Sequence, residues 1–210
     1  MGENWPRKLH RVADRVDRRF GRAIRRVAAL ESLWVGLLDG IVAQQSDRRD
    51  MRREILPALA RLRPARILFV GVRGYTRGYG DAFVGLPTEF WTCDIDPAAA
   101  VHGAPDRHVT EDVRRLDCAF PAGFFAVAII NGVFGWGVDT VADIDRVLVA
   151  TERILGPGGI LLIGWNTDRA PDPDSSPAIR LFEPVAFSGL PHRKRFVDVT
   201  HVYAWYRTLR

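Results

Sequence analysis
The chain has little cysteine, almost no lysine and no long hydrophobic run. Cys93 and Cys118 are its only cysteines among 210 residues. Two thiols cannot build the disulfide framework of a small secreted domain, and neither stands in a C-x-x-C pair or in a Cys/His cluster of metal-ligand spacing. A structural metal centre is therefore not expected, and a reducing, cytoplasmic setting is. The opening residues, MGENWPRKLHRVADR, place no apolar stretch behind their charges, so no signal peptide is read there. No apolar run approaches the ~20 residues of a transmembrane helix.

Lysine occurs only at Lys8 and Lys194, so nearly all of the 30 cations are arginine. A bias spread over the whole chain removes most of the meaning from any single arginine as a phosphate reader. The cations are also unevenly placed. Residues 1–66 hold sixteen Lys and Arg against eight Asp and Glu, whereas the remainder holds fourteen against seventeen. The basic third is read as a solvated helical face; a nucleic-acid footprint is the less favoured partner.

An apolar content of 47% is enough for a proper core, and the length suits one domain with an extension. Val12, Val16, Phe20, Ile24, Val27, Leu30, Trp34, Leu37 and Ile41 fall at steps of three and four, one stripe of a helix interrupted near Gly21, Gly36 and Gly40. A second helical pattern starts with Asp47 as N-cap, runs through Met51, Ile55 and Leu59 to Leu62, and meets Pro57 on the way. Residues 1–63 are thus a basic helical extension that packs on the main domain or pairs with a second copy as a homodimer.

Residues 64–210 have a different character. Arg66-Ile67-Leu68-Phe69-Val70-Gly71 is apolar without alternation, as in a parallel strand buried on both faces. Further strands are read at 90–93, at a short segment before Glu111, at 125–130 and at 160–165. A helix from Thr140 has Asp143 in capping-box spacing and ends at Gly156-Pro157. The spacing of Tyr75, Tyr79 and Phe83 predicts another helical packing face. Strands alternating with helices imply a doubly wound sheet. Asn166–Pro177 is read as a lid, and 193–196 with 201–207 as a hairpin at the sheet edge.

Ligands in such sheets bind beyond the carboxyl ends of the strands. The first end, Gly71-Val72-Arg73-Gly74-Tyr75-Thr76, lets backbone approach a ligand, but it matches neither G-x-G-x-x-G nor the P-loop. The second ends in Asp94-Ile95-Asp96-Pro97. Asp94 is placed to accept from two ribose hydroxyls, and Asp96 to cap the helix that Pro97 begins. The third carries Glu111-Asp112-Val113, where a carboxylate either meets an adenine amine or caps a helix. The fourth, Asn131-Gly132-Val133-Phe134-Gly135-Trp136-Gly137, turns a polar residue out of the sheet into a glycine-rich loop.

The ordered series of these motifs, closed by Leu155-Gly156-Pro157-Gly158-Gly159, resembles the class I S-adenosylmethionine-dependent methyltransferases over roughly residues 60–207. The resemblance implies a Rossmann-like, mostly parallel seven-stranded sheet with a reversed last strand, and S-adenosylmethionine as cofactor. It gives Asp94, with Ile95, to the ribose, Asp112 and Val113 to adenine, and the Gly71 loop to the methionine part. Asn131, Gly132 and Val133 line the cofactor's other side. Two positions depart from the family pattern, Phe69 for an acid and Arg73 for a glycine. Tyr75, the Thr76 hydroxyl and the N–H groups around Gly74 are expected to hold the methionine end instead.

The acceptor is expected to be a small molecule or glycan-type compound, shaped by Trp136, Trp165 and Tyr203, with His201 as candidate base. Three rivals stand beside this reading: a methyltransferase fold kept as a non-catalytic binding subunit, an RNA-directed methyltransferase, and a nicotinamide-dependent oxidoreductase. The last would normally show the full glycine fingerprint.

Overall fold
A run such as Ile67-Leu68-Phe69-Val70 has no polar side to give to water, so it belongs in the middle of a sheet. The computed structural model, which describes residues 43–210 together with Leu37 and Gly40, puts it there. β1 (Arg66–Val70) lies between β2 (Glu89–Asp94) and β4 (Phe125–Asn131), parallel to both. β3 (His108–Thr110) extends this parallel set at one edge, and β5 (Leu155–Asn166) continues it beyond β4.

Three further strands complete the sheet: β6 (Phe182–Pro184), β7 (Arg193–Arg195) and β8 (His201–Thr208). The order is β3-β2-β1-β4-β5-β8-β6, with β8 antiparallel to β5 and β7 paired to β8. The expected reversed last strand is present as β8, but not at the edge. β6 covers its outer side at residues 206–208 and β7 at 202–204. Its full burial from His201 to Tyr206 follows from that cover.

Side chains alternate across the sheet, so each apolar run serves two cores. Leu68, Val70, Ala128 and Ile130 face the layer of the helix Val141–Ile154, and Ile67, Phe69, Val127 and Ile129 face the other layer. In that other layer lies α1, built of three continuous stretches, Ser46–Asp50, Met51–Ile55 and Leu56–Leu62. Its middle stretch is wound as a π-turn. Pro57 has no N–H and its ring collides with the carbonyl four residues back, and a wider turn immediately before it relieves that clash. Met51, Ile55, Leu56 and Leu59 are buried, so this part of the extension shares the domain's core. Asp47 is inside the first turn and buried; Gln45 occupies the cap position that Asp47 was expected to take. The long amphipathic pattern from Leu9 to Ile41 falls almost wholly outside the described residues.

The crossovers differ in kind. Between β4 and β5 stands α3 (Val141–Ile154), begun by Thr140, whose hydroxyl accepts from the Asp143 N–H and donates to its carboxylate. Between β3 and β4 there is only a 3-10 turn and the short α2 (Leu116–Ala119). The predicted helix through Tyr75, Tyr79 and Phe83 is not formed. Gly78 and Gly85 sit at φ +85° and +77°, conformations that stop an α-helix, and two 3-10 turns replace it, 74–76 and 79–83. Tyr79 and Phe83 are nevertheless buried against Phe69 and Phe90.

Asn166–Pro177, expected as a lid, is fastened down. Ser176 donates to Asp145 on α3 at 2.9 Å, Tyr206 donates to Asp174 at 2.6 Å, and Arg193 forks onto Asp172 at 2.5 and 3.1 Å. Among the described residues no helix is long and apolar enough to cross a membrane.

Candidate cofactor site at the strand ends
β1, β2 and β4 end beside one another, which gathers Gly71, Asp94 and Asn131. Gly71 has φ +93°, and a Cβ there would lie 2.0 Å from the Asn131 carbonyl oxygen. Only glycine allows the two chains so close, and the approach draws the first loop toward Gly132 and Val133.

Asp94 is 4% exposed, and both oxygens are engaged. Oδ1 accepts from the Asp96 N–H at 3.0 Å, and Oδ2 accepts from Arg73 Nη1 at 2.9 Å. Arg73, at the position where a glycine was expected, also donates to the Val72 carbonyl at 2.6 Å. Its guanidinium therefore makes the kind of contact to Asp94 that ribose hydroxyls would make. Asp96 accepts from the Ala98 N–H at 2.9 Å and caps the turn that Pro97 begins, the structural role assigned to it. Ile95 is exposed next to it.

At the third strand end the Asp112 carboxylate caps a turn through the Arg114 N–H at 2.9 Å and is clasped by the Arg114 side chain at 2.6–3.0 Å. The Arg114 hydrogen bonds hold the Asp112 pKa below the ordinary carboxylate range. Arg114 also reaches Asp143 at 3.1 Å, joining this corner to the start of α3. Val113 is buried beneath. The cap reading of Asp112 is thus realised, and the adenine reading requires Arg114 to share it.

The opposite end of the cleft is polar and buried. The Thr76 hydroxyl accepts from the Arg73 N–H at 3.0 Å and donates to the Arg73 carbonyl at 2.8 Å, so it closes its own turn. Tyr75 points instead toward α1: its hydroxyl accepts from Arg48 Nη2 at 3.5 Å, its ring centroid is 5.0 Å from the Arg48 guanidinium carbon, and its oxygen lies 3.9 Å from where a Gly132 Cβ would be. Arg48 pairs with the buried Asp47 and keeps an Nε without partner. The Tyr203 hydroxyl donates to the Asp47 carbonyl at 3.2 Å.

His201 connects this cluster to Asn131. The Asn166 amide donates to Thr200 Oγ1 at 2.9 Å, which turns its oxygen to His201 Nδ1 at 3.1 Å. Nε2 lies 3.0 Å from the Asn131 side-chain oxygen, so the imidazole N–H donates to one amide oxygen or the other according to its tautomer. Burial, reinforced by Arg48, pushes the His201 pKa well below its ordinary value. The meeting depends on Gly164, where a Cβ would come within 2.2 Å of the Asn131 amide and 2.8 Å of His201 Nε2. At 1% exposure, His201 orders the cleft wall and has no open face for an acceptor. Trp165 and Tyr203 are buried as well, while Trp136 is 59% exposed, with Arg169 stacked 4.2 Å above its ring.

Sequence reasoning passed over Arg48, Asn166 and the role of Gly164, and gave Asp47 only the role of a helix cap. The signal was present: Asp47 lies four residues before Met51 on the stripe that continues through Ile55 and Leu59, so the helical period itself buries it. A cavity of about 690 Å³ lies to the side, floored by Phe69, Phe83 and Phe90; Asp94, Asp112 and Asn131 do not line it.

No protein-family model and no curated protein matches the chain by sequence. Solved structures match the fold. The N-methyltransferase NodS from Bradyrhizobium japonicum WM9, in complex with S-adenosylhomocysteine, aligns with a TM-score of 0.59 at 13% identity, over 80% of this chain and 90% of that one. A TehB-like SAM-dependent methyltransferase from Corynebacterium glutamicum gives 0.55 at 18%, over 73% and 87%. The 1,6-didemethyltoxoflavin-N1-methyltransferase of Burkholderia thailandensis, with bound 1,6-didemethyltoxoflavin and S-adenosylhomocysteine, gives 0.53 at 18%, over 85% and 90%. The fold is that of the class I methyltransferases.

Proposed function
We infer that the chain binds S-adenosylmethionine at the ends of β1, β2 and β4 and transfers its methyl group to a small-molecule acceptor. The observation that carries this reading is a buried carboxylate, Asp94, at the end of β2 and beside the Gly71 turn. In a doubly wound sheet that carboxylate belongs to the ribose. Two of the matched structures hold S-adenosylhomocysteine, which supports the same ligand class here.

The residues fit the cofactor in part. Asp94 offers the ribose an acceptor once Arg73 gives way, exposed Ile95 offers an apolar surface to the base, and Gly71 and Gly132 leave room for the ligand's thioether backbone. S-adenosylmethionine brings a methyl already activated by its sulfonium, so the protein has chiefly to orient and desolvate, and positioning alone contributes on the order of 7–11 kcal/mol. Trp136, exposed on the loop after β4, is placed to meet the acceptor. Residues 64–210 form the transferring unit, and the extension's α1 closes the methionine end. The Asn131–His201–Asn166 chain holds the β4 loop in place without taking a proton from the acceptor.

Calorimetry with S-adenosylmethionine and S-adenosylhomocysteine tests binding, and incubation of a metabolite extract with labelled methyl donor tests transfer. Absence of binding by folded protein would overturn the reading. Binding without transfer to any extract component favours a second reading, a non-catalytic binding subunit. That reading draws on the pairing of Asp94 with Arg73 and of Asp112 with Arg114. An RNA acceptor has less support, because residues 67–210, which hold the strand ends, carry fourteen Lys and Arg against seventeen Asp and Glu.

A further inference from the structure
Asp47 and Arg48 are adjacent in sequence and buried together where α1 meets the Gly71 loop, at 1% and 9% exposure. Removing two charges from water costs more than their attraction returns unless further hydrogen bonds complete the set, and an apolar pair would fill the same space as well. Here the set is incomplete: Arg48 Nε has no partner, and the Tyr75 hydroxyl, which accepts from Arg48, has its own proton still to donate. The Tyr75 hydroxyl, which Arg48 Nη2 reaches at 3.5 Å, lies beside Gly132, whose missing side chain leaves that oxygen facing the β4 loop.

We propose that Asp47 and Arg48 are the receptor for a zwitterionic amino-acid head, with the ligand's α-carboxylate taken by Arg48 and Tyr75 and its α-ammonium by Asp47. The proposal rests on the cofactor reading above and names what that reading lacks, a grip on the methionine end. A zwitterion brings the same two charges as the pair it divides, so partners exchange and the net buried charge does not change. The guanidinium presents parallel N–H groups suited to a carboxylate. Thr76, expected for this task, is committed to the Arg73 backbone, and Arg73 itself reaches the ribose end, so Arg48 is the cation at this end of the cleft. Residues 73–75 then span the whole ligand, with Arg73 at Asp94 and Tyr75 at Arg48.

The test compares S-adenosylhomocysteine with 5′-methylthioadenosine, which keeps the adenosyl thioether and lacks the amino-acid head. By titration calorimetry the unaltered protein should prefer S-adenosylhomocysteine by about tenfold to a hundredfold, the range of one charged hydrogen-bonded contact. Arg48→Met should bring S-adenosylhomocysteine down to the level of 5′-methylthioadenosine and leave the latter unchanged, which also shows that the variant is folded. Arg48→Lys should keep part of the preference, and Asp47→Asn should lose part of it. Should Arg48→Met not fold, the preference of the unaltered protein and the Asp47→Asn result decide. Equal affinity of the unaltered protein for the two ligands, or an equal loss of both in Arg48→Met, overturns the receptor and leaves the adenosyl site standing. Binding of neither ligand by the unaltered protein overturns both.

Discussion

The two ends of the cleft each hold an acid paired with an arginine, in opposite surroundings. At one end Asp94 is buried, but the Arg73 side chain is 49% exposed and crosses from a loop. At the other, Asp47 and Arg48 are both buried, and they sit on a helix that belongs to the core. A half-exposed pair is screened and weak, on the order of 0–1 kcal/mol, so a ligand can replace Arg73 easily. A buried pair can be divided only by something that supplies both charges. On the reading proposed above, the first end is a removable cover and the second a selective socket.

The joint between the ends bears the largest expected effect. Gly71→Val forces a β-branched residue into φ +93° with its Cβ against the Asn131 carbonyl, and should destabilise the fold by roughly 3 kcal/mol, read as a lower urea midpoint. A small change would mean that the ends are not held together there. Asp94→Ala comes next, with an expected tenfold to hundredfold loss of S-adenosylhomocysteine affinity, about 1.5–3 kcal/mol, by calorimetry. Unchanged affinity would move the ribose contact elsewhere.

The buried end also has a pH signature. His201 is neutral when folded, between Asn131 and Asn166 and facing Asp47 and Arg48. Unfolded, it takes up a proton below about pH 6.5, so its contribution is fully present above that pH and declines as pH falls. His201→Gln should therefore flatten the fall in melting temperature between pH 7 and 5. Asp112, whose pKa Arg114 holds down, enters only in more acid solution. The smallest effect is expected at the cover. Arg73→Gly frees Asp94 and should tighten S-adenosylhomocysteine about two- to fivefold. A loss of affinity would instead make Arg73 part of the ligand's own contact set.

Much of the frame is legible in the chain. The apolar runs locate β1, β2, β4 and most of β5, and Thr140 with Asp143 marks the start of α3, because those signals are local. What escaped depends on pairing between distant segments. The hairpin of β7 with β8 is legible, but β6, which covers the rest of β8's outer side and takes it off the edge, is not. Asn166–Pro177 has the composition of a lid, and its fastening to Asp145, Arg193 and Tyr206 comes from remote side chains. At the site the carboxylate positions could be read from spacing. Which arginine each acid meets could not, because Arg73 and Arg48 are two among many.

The π-turn before Pro57 has a consequence for how this chain tolerates change. Such a turn takes up one residue more than an ordinary turn for about the same rotation, so Asp47 and Arg48 keep the phase that an ordinary helix would give them. Deleting a single residue from Met51–Ile55 would make the segment an ordinary α-turn and leave that pair facing Tyr75, whereas a deletion from Leu56–Leu62, which is already α-helical, would swing it by about 100° around the axis. The helix can therefore change length by one residue at this turn without disturbing the residues it presents to Tyr75.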